Sequence, residues 1–383
     1  MQEILGNAPT GWSWKTFKEV CVLKRGYDLP THARTAGDVP LYSANGVTDY
    51  IDQYKVEGPG VVTGRSGTIG KVHFVENDYW PLNTALYVQS FNGNYPRFIK
   101  FFLESFDLTR FATGAAVPTL NRNSLSTEIV CTPDSFGEQK RIVEKLDALF
   151  TRIDTTIEHL QESIALKNSL LQSALDGQFA SIPDRKTIET LADVKGGKRL
   201  PKGEKLISEV TDHPYIRVTD FTDKGTIDLS NIQHISNEIH EQIKRYVISK
   251  DDLYISIAGT IGKTGFVPPE LDGANLTENA AKLVIKDKGQ LDLSYLYLFT
   301  LTSDFSAQAG LATKTVAQPK LALTRLSKIE VPICSFEEQK SLVLSIETLK
   351  SKIQEAEEVL LAKINDLQTL KASILDSALK GEL

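Results

Sequence analysis

The sequence predicts an α+β protein built as an internal repeat. Two globular domains of mixed α/β structure are joined by two long antiparallel coiled-coil helices, related by a pseudo-two-fold. Three observations carry this expectation. Short motifs recur in the same order about 200 residues apart. Each copy ends in a long apolar seam stepping by three and four residues. Between these landmarks lie short β-rich runs bounded by Gly, Pro and Asn.

The duplication is explicit. Gly67-Thr68-Ile69-Gly70-Lys71 recurs as Gly259-Thr260-Ile261-Gly262-Lys263. Ser135-Phe136-Gly137-Glu138-Gln139-Lys140 recurs as Ser335-Phe336-Glu337-Glu338-Gln339-Lys340, and Ser173-Ala174-Leu175-Asp176-Gly177 as Ser377-Ala378-Leu379-Lys380-Gly381. A period this long signifies two copies of a domain with its connector, not a solenoid of short repeats. The boundaries follow: residues 1–134 form the first domain, 135–177 the first long helix, 178–186 a linker, 187–334 the second domain and 335–381 the second long helix.

Each helix has a readable start. Ser135 and Ser335 stand as N-caps with Glu138 and Glu338 three positions on, the pattern of a capping box. The seam then runs through Leu146, Phe150, Ile153, Ile157, Leu160 and Ile164 in the first copy, with Lys167 as its break. In the second it runs through Leu349, Ile353, Leu360, Ile364 and Leu367, where the Leu360-to-Ile364 step interrupts the three-four alternation as a stutter does. Neither segment contains Pro, and Gly177 and Gly381 stand where a terminating glycine is expected. About 40 residues at 1.5 Å each give a rod of about 60 Å. A narrow apolar seam of that length needs a partner helix. The other copy supplies one, and an antiparallel pair would hold the two domains apart.

The globular segments read as strands at 60–63, 71–75 and 85–88 and as a helix over 96–109. Their counterparts are strands at 253–257 and 282–285 and a helix near 294–302. Alternating short strands and helices of this kind indicate a mostly antiparallel, curved sheet.

Composition narrows the function. With 383 residues and ordinary apolar content, the chain holds two or three domains. No apolar run reaches the length of a membrane span. The three cysteines, Cys21, Cys131 and Cys334, are scattered, which suits a reducing cytoplasm. No metal-ligand spacing occurs among the His and Cys residues. The net charge of −6 is unlike that of a protein gripping nucleic acid unaided.

Three motifs imitate enzymes and fail. Gly-Thr-Ile-Gly-Lys lacks the first glycine of a P-loop, since Arg65 and Ile257 occupy that place; a tight turn presenting Lys71 or Lys263 is the better reading. Pro133-Asp134 with Glu138 and Lys140 mimics a nuclease, but the second copy lacks the Asp. Val267-Pro268-Pro269-Glu270 lacks the polar and aromatic residues that hold a flipped base.

The nucleic-acid hint is local. A basic, glycine-bearing loop holds Lys195, Lys198, Arg199 and Lys202, and the first copy carries Lys24, Arg25 and Tyr27 in the corresponding place. A solvated charge run is the competing reading. Glycines allow close backbone approach to phosphate, and Lys or Arg neutralises it. Asn45, Arg65, Arg217 and Thr219 are candidate readers of base edges.

Two divergent domains, each followed by a helix that opens with Phe-x-Glu-Gln-Lys and closes near Ser-Ala-Leu-x-Gly, resemble the specificity subunits of type I restriction-modification systems. Gly11-Trp12-Ser13-Trp14-Lys15 resembles that family's entry, and the Gly-Thr-Ile-Gly-Lys turns occur in both of its target-recognition domains. The resemblance implies a non-catalytic subunit that reads an asymmetric, bipartite site in double-stranded DNA. It further implies two modification (methyltransferase) subunits docked on the helices and, in systems that cut, restriction (translocase-nuclease) subunits. S-adenosylmethionine would then belong to the methyltransferase, ATP and Mg to the translocase, and no cofactor to this chain. Two other classes stay open: a repeat scaffold for protein assembly without DNA contact, and an autonomous DNA-modifying enzyme.

Overall fold

The computed structural model describes residues 7–114, 118–310 and 320–383, and the chain divides into two compact units. One holds residues up to Glu162 together with Leu360–Leu383; the other holds Ser163–Val359. Each unit combines one globular part with a stretch of both long helices.

In the first unit a four-stranded antiparallel sheet runs in the order Val22–Arg25, Ala85–Ser90, Gly60–Gly64, Val72–Val75. A three-stranded sheet joins Gly46–Ile51, Ala36–Ser43 and Trp80–Pro81, the last in parallel. A ribbon of Trp12–Thr16 with Ile129–Pro133 leads into the long helix. The second unit repeats this topology. Its four strands are Ala192–Gly196, Ala280–Ile285, Leu253–Ser256 and Thr264–Phe266. Its three are Gln233–His234, Pro214–Ile216 and Asn275–Leu276, again with one parallel pair, and its ribbon is Arg185–Thr187 with Glu330–Pro332. The repeat read from the sequence is therefore a repeat of sheet order.

The central strands lack an apolar-polar alternation because both of their faces are covered. Val61 joins a cluster with Phe98 and Phe102, while Val62 joins Val75, Tyr79 and Tyr87. In the second unit Leu253 and Ile255 face one cluster and Tyr254 the other. Successive side chains in a strand point to opposite faces, so a continuous apolar run here marks a two-sided core. The expected helices form as Pro96–Ser105, with Pro in its first turn, and Leu293–Thr300.

The first long helix spans Phe136–Ala165, turns at Leu166 and resumes as Lys167–Ala180. The second runs unbroken over Phe336–Leu379 and contains the Leu360-to-Ile364 step. Gly381 has φ of +78° and ends the second helix as expected. Gly177 does not end the first; the helix continues to Ala180. The reason is Phe179, 1% exposed and packed on Tyr295 and Phe299. Burying a Phe contributes about 1.5–3 kcal/mol, which outweighs the roughly 0.5–1 kcal/mol lost by a helical glycine. With Arg185–Thr187 already a strand, the connecting segment is shorter than 178–186.

Helix pairing is antiparallel within each unit. In the first, Arg141 donates to the Leu383 carbonyl and Lys371 pairs with Asp154 at 2.7 Å, so contacts advance along one helix as they recede along the other. In the second, Lys167 pairs with Glu357, and Leu175 and Phe179 share a cluster with Leu342 and Ile346. Leu146, Phe150, Ile153 and Ile364 are buried; Ile157, Leu160, Ile164, Leu349, Ile353, Leu360 and Leu367 are half-buried. Two helices enclose only one seam, so Leu166, Leu170 and Val359 in the second unit, and Leu361 and Leu370 in the first, stay about half exposed or more.

Candidate nucleic-acid interface

The repeated Phe-x-Glu-Gln-Lys segment fixes each globular part to its helix. In the second unit the Glu338 carboxylate accepts from the Ser335 backbone N–H at 2.9 Å and hydroxyl at 2.7 Å, while the Ser335 hydroxyl accepts from the Glu338 N–H at 3.4 Å. These bonds hold Glu338 below the usual carboxylate range, the hydroxyl contributing most. In the first unit only half of the box forms. The Ser135 hydroxyl accepts from the Glu138 N–H at 3.1 Å, but the Glu138 carboxylate turns to Arg141, at 2.6 and 2.8 Å.

The following residue, overlooked in the sequence, does equal work in both copies. Gln139 is buried, accepts from the Tyr95 N–H at 2.7 Å and donates to the Asn94 side chain and the Pro133 carbonyl. Gln339 accepts from the Asp292 N–H at 2.9 Å and donates to the Gln290 and Cys334 carbonyls. Both ties bind the long helix to the start of a domain helix. The recurrence of Gln in both copies was the signal available for them.

The Gly-Thr-Ile-Gly-Lys segments are turns. Gly67, Gly70, Gly259 and Gly262 have φ of +84°, +94°, +76° and +91°, a region L side chains rarely enter. Lys71 is exposed and, among the described residues, has no ion pair or hydrogen bond through its ammonium. Lys263 is half-buried and held by Asp223 at 2.7 Å.

The basic loops lie against a second segment of their own unit. Gly26 and Tyr27 donate to the Ala85 and Pro81 carbonyls at 3.1 and 2.8 Å; Gly197 and Lys198 donate to Ala280 and Leu276 at 2.9 and 2.8 Å. A Cβ on Gly26 would fall 2.2 Å from the Leu82 carbonyl oxygen, and one on Gly197 2.1 Å from that of Thr277. These glycines serve a close approach within the protein, which corrects the expectation that they clear space for phosphate.

The candidate contact residues divide into free and committed. The ammonium groups of Lys24 and Lys202, like that of Lys71, carry no ion pair or hydrogen bond among the described residues. Asn45 is exposed at the tip of the hairpin between Ala36–Ser43 and Gly46–Ile51. Arg25 pairs with Asp28 at 3.3 Å, Lys195 with Asp193 at 3.1 Å and Arg199 with Glu278 at 2.6 Å. Lys198 lies over the Tyr246 ring. Arg65 donates to the Asn83 carbonyl at 3.0 Å. Arg217 is committed to buried Asp220 at 2.6 Å and to the Asn231 carbonyl; Thr219 leans on the same Asp220. Tyr27 is half-buried, its hydroxyl 2.9 Å from that of Tyr87 and its ring beside Trp80. Tyr27 and Arg217 thus brace loops, while Thr219 is exposed beside Asp220.

Among the described residues no group of three or more His, Cys, Asp or Glu could hold a metal ion, and no helix is long and apolar enough to cross a membrane. Burial pushes the Cys21 thiol up to about 12 and raises Cys131 and Cys334 as well, so no described cysteine has the depressed pKa of a nucleophile.

The model of the type I restriction modification DNA specificity domain matches residues 9–167 and again 184–366. The specificity subunit of the type I restriction enzyme EcoBI of Escherichia coli is 26% identical over 71% of this chain, an alignment spanning 62% of that relative's length. A putative type I specificity subunit of Haemophilus influenzae is 24% identical, with 89% of each chain covered. Two solved structures share the fold at 17% identity. One, from work on assembly and conformational transition of a type I R-M system, has a TM-score of 0.70 over 99% of this chain and all of that one. The other, the HsdS subunit from Thermoanaerobacter tengcongensis, has a TM-score of 0.60 over 99% of both.

Proposed function

This chain belongs to the type I restriction modification DNA specificity domain family, and from that premise we propose that it is the non-catalytic, sequence-reading subunit of a DNA methyltransferase complex. The observation that carries the reading is one sheet topology built twice with different loop side chains. Two unlike readers select an asymmetric, bipartite site, whereas a symmetric dimer selects a palindrome. The paired helices set the spacing between the half-sites.

Exposed leucines along the helices, Leu166, Leu170 and Leu344 among them, favour docking of modification subunits there. A partner supplies S-adenosylmethionine and much of the phosphate grip that an acidic chain lacks. Restriction subunits, with ATP and Mg, join where the system also cuts. The test is DNA binding by this chain with and without its modification subunits. Sequence-selective, salt-dependent binding by the assembled complex is expected. Equal affinity for all duplexes would contradict the reading, and methylation by this chain alone would favour an autonomous enzyme.

A further inference from the structure

The repeat places one loop-to-loop clasp at the same point of both units. In the first, the Asn83 side-chain amide donates to the Asp28 carboxylate; in the second, Arg199 Nε donates to the Glu278 carboxylate at 2.6 Å. The flanking backbone bonds, from Gly26 and Tyr27 or from Gly197 and Lys198, are equivalent. In each unit a cation also donates to the carbonyl of the clasp's second member: Arg65 to Asn83 at 3.0 Å, and Lys320 to Glu278 at 2.7 Å. The main chain is thus conserved between the copies, while the side chains it presents are exchanged in chemistry. Asp and Asn stand in one, Arg and Glu in the other.

Stability does not account for the clasps. An exposed ion pair contributes about 0–1 kcal/mol, and the side chains of Asp28 and Arg199 are 66% and 77% exposed. The backbone bonds already hold the loops together. What the clasps offer is a planar donor or acceptor set at a domain surface. A guanidinium matches O6 and N7 of guanine, a carboxylate accepts from the amino group of cytosine, and an amide matches adenine.

We propose that Asp28–Asn83 and Arg199–Glu278 are the specificity-determining pairs of the two domains. Each clasp satisfies itself in the free protein and opens onto base edges in the complex. Arg199–Glu278 reads guanine and cytosine; Asp28–Asn83 accepts from the amino group of cytosine or adenine and can donate to adenine. The proposal rests on the DNA-reading function given above.

Reciprocal exchange tests it. D28R/N83E and R199D/E278N each install the other copy's pair on an equivalent backbone. The complete system would be expressed with each variant, and methylated sites mapped by single-molecule sequencing, with melting temperature and complex assembly as controls. The first exchange is expected to change one half-site and the second exchange the other, each leaving its companion half unaltered. Arg199→Lys keeps the charge but loses the planar fork; it is expected to lower discrimination at one base pair about tenfold or more. A wild-type preference left unchanged by all three variants overturns the assignment, as does an assembled exchange variant that binds every duplex alike. A wild-type complex without any preference overturns the DNA-reading function itself.

Discussion

Gln139 and Gln339 are buried and each satisfy backbone groups from two segments. Replacing either by Ala leaves those groups unpaired, and thermal or denaturant unfolding should show a loss of roughly 1–3 kcal/mol. Gly197→Ala drives a methyl into the Thr277 carbonyl and should cost roughly 1–3 kcal/mol by the same measurement. Among the described residues the Lys71 ammonium has no partner to lose. Lys71→Ala should leave the melting temperature unchanged, lower DNA affinity for all sequences alike and reduce the salt slope of the assembled complex by about 1. An unchanged slope would remove Lys71 from the interface. The residue types were legible in the sequence, but their commitments were not. Asp220 lies only three residues from Arg217, but nothing local announces the carbonyl of Asn231, and nothing near Lys263 announces Asp223. Those last two partners are set by tertiary contact.

At the scale of elements, what the sequence revealed followed from periodicity and what it hid followed from burial. The seam, both N-caps and the break near Lys167 were readable because helical geometry repeats every few residues; Lys167 itself is explained by Glu357 on the partner helix. The end of the first helix was misjudged because a buried Phe179 overrides the glycine two residues before it. Both cap carboxylates are held low, Glu138 chiefly by Arg141 and Glu338 chiefly by Ser335, so both should weaken in acid. Glu338 titrates below its unfolded value, so its stabilisation is present above about pH 4.3 and is lost as pH falls through its lower folded value. The stability gap between the wild type and Glu338→Gln should therefore be widest near neutrality and close as pH falls through the lowered folded value; a gap independent of pH would contradict the cap geometry. On the exposed flank, a Leu166→Glu, Leu170→Glu double variant should fold normally yet fail to form a complex with modification subunits in size-exclusion chromatography.

For the whole molecule, duplication is the organising fact. One sheet order serves two domains, and the second long helix runs unbroken for 44 residues, about 66 Å. The internal comparison was visible in the sequence because the helix starts, turns and helix ends stayed alike while the loops diverged. It could not reveal that the loops close on equivalent backbone bonds, since those bonds involve no particular side chain. The most direct test is to delete the four residues Leu361–Ile364 together with four from the facing stretch of the first helix, and to map methylated sites genome-wide with the assembled system. The account predicts the same two half-site sequences with an altered number of base pairs between them. Unchanged spacing in an active complex would contradict it.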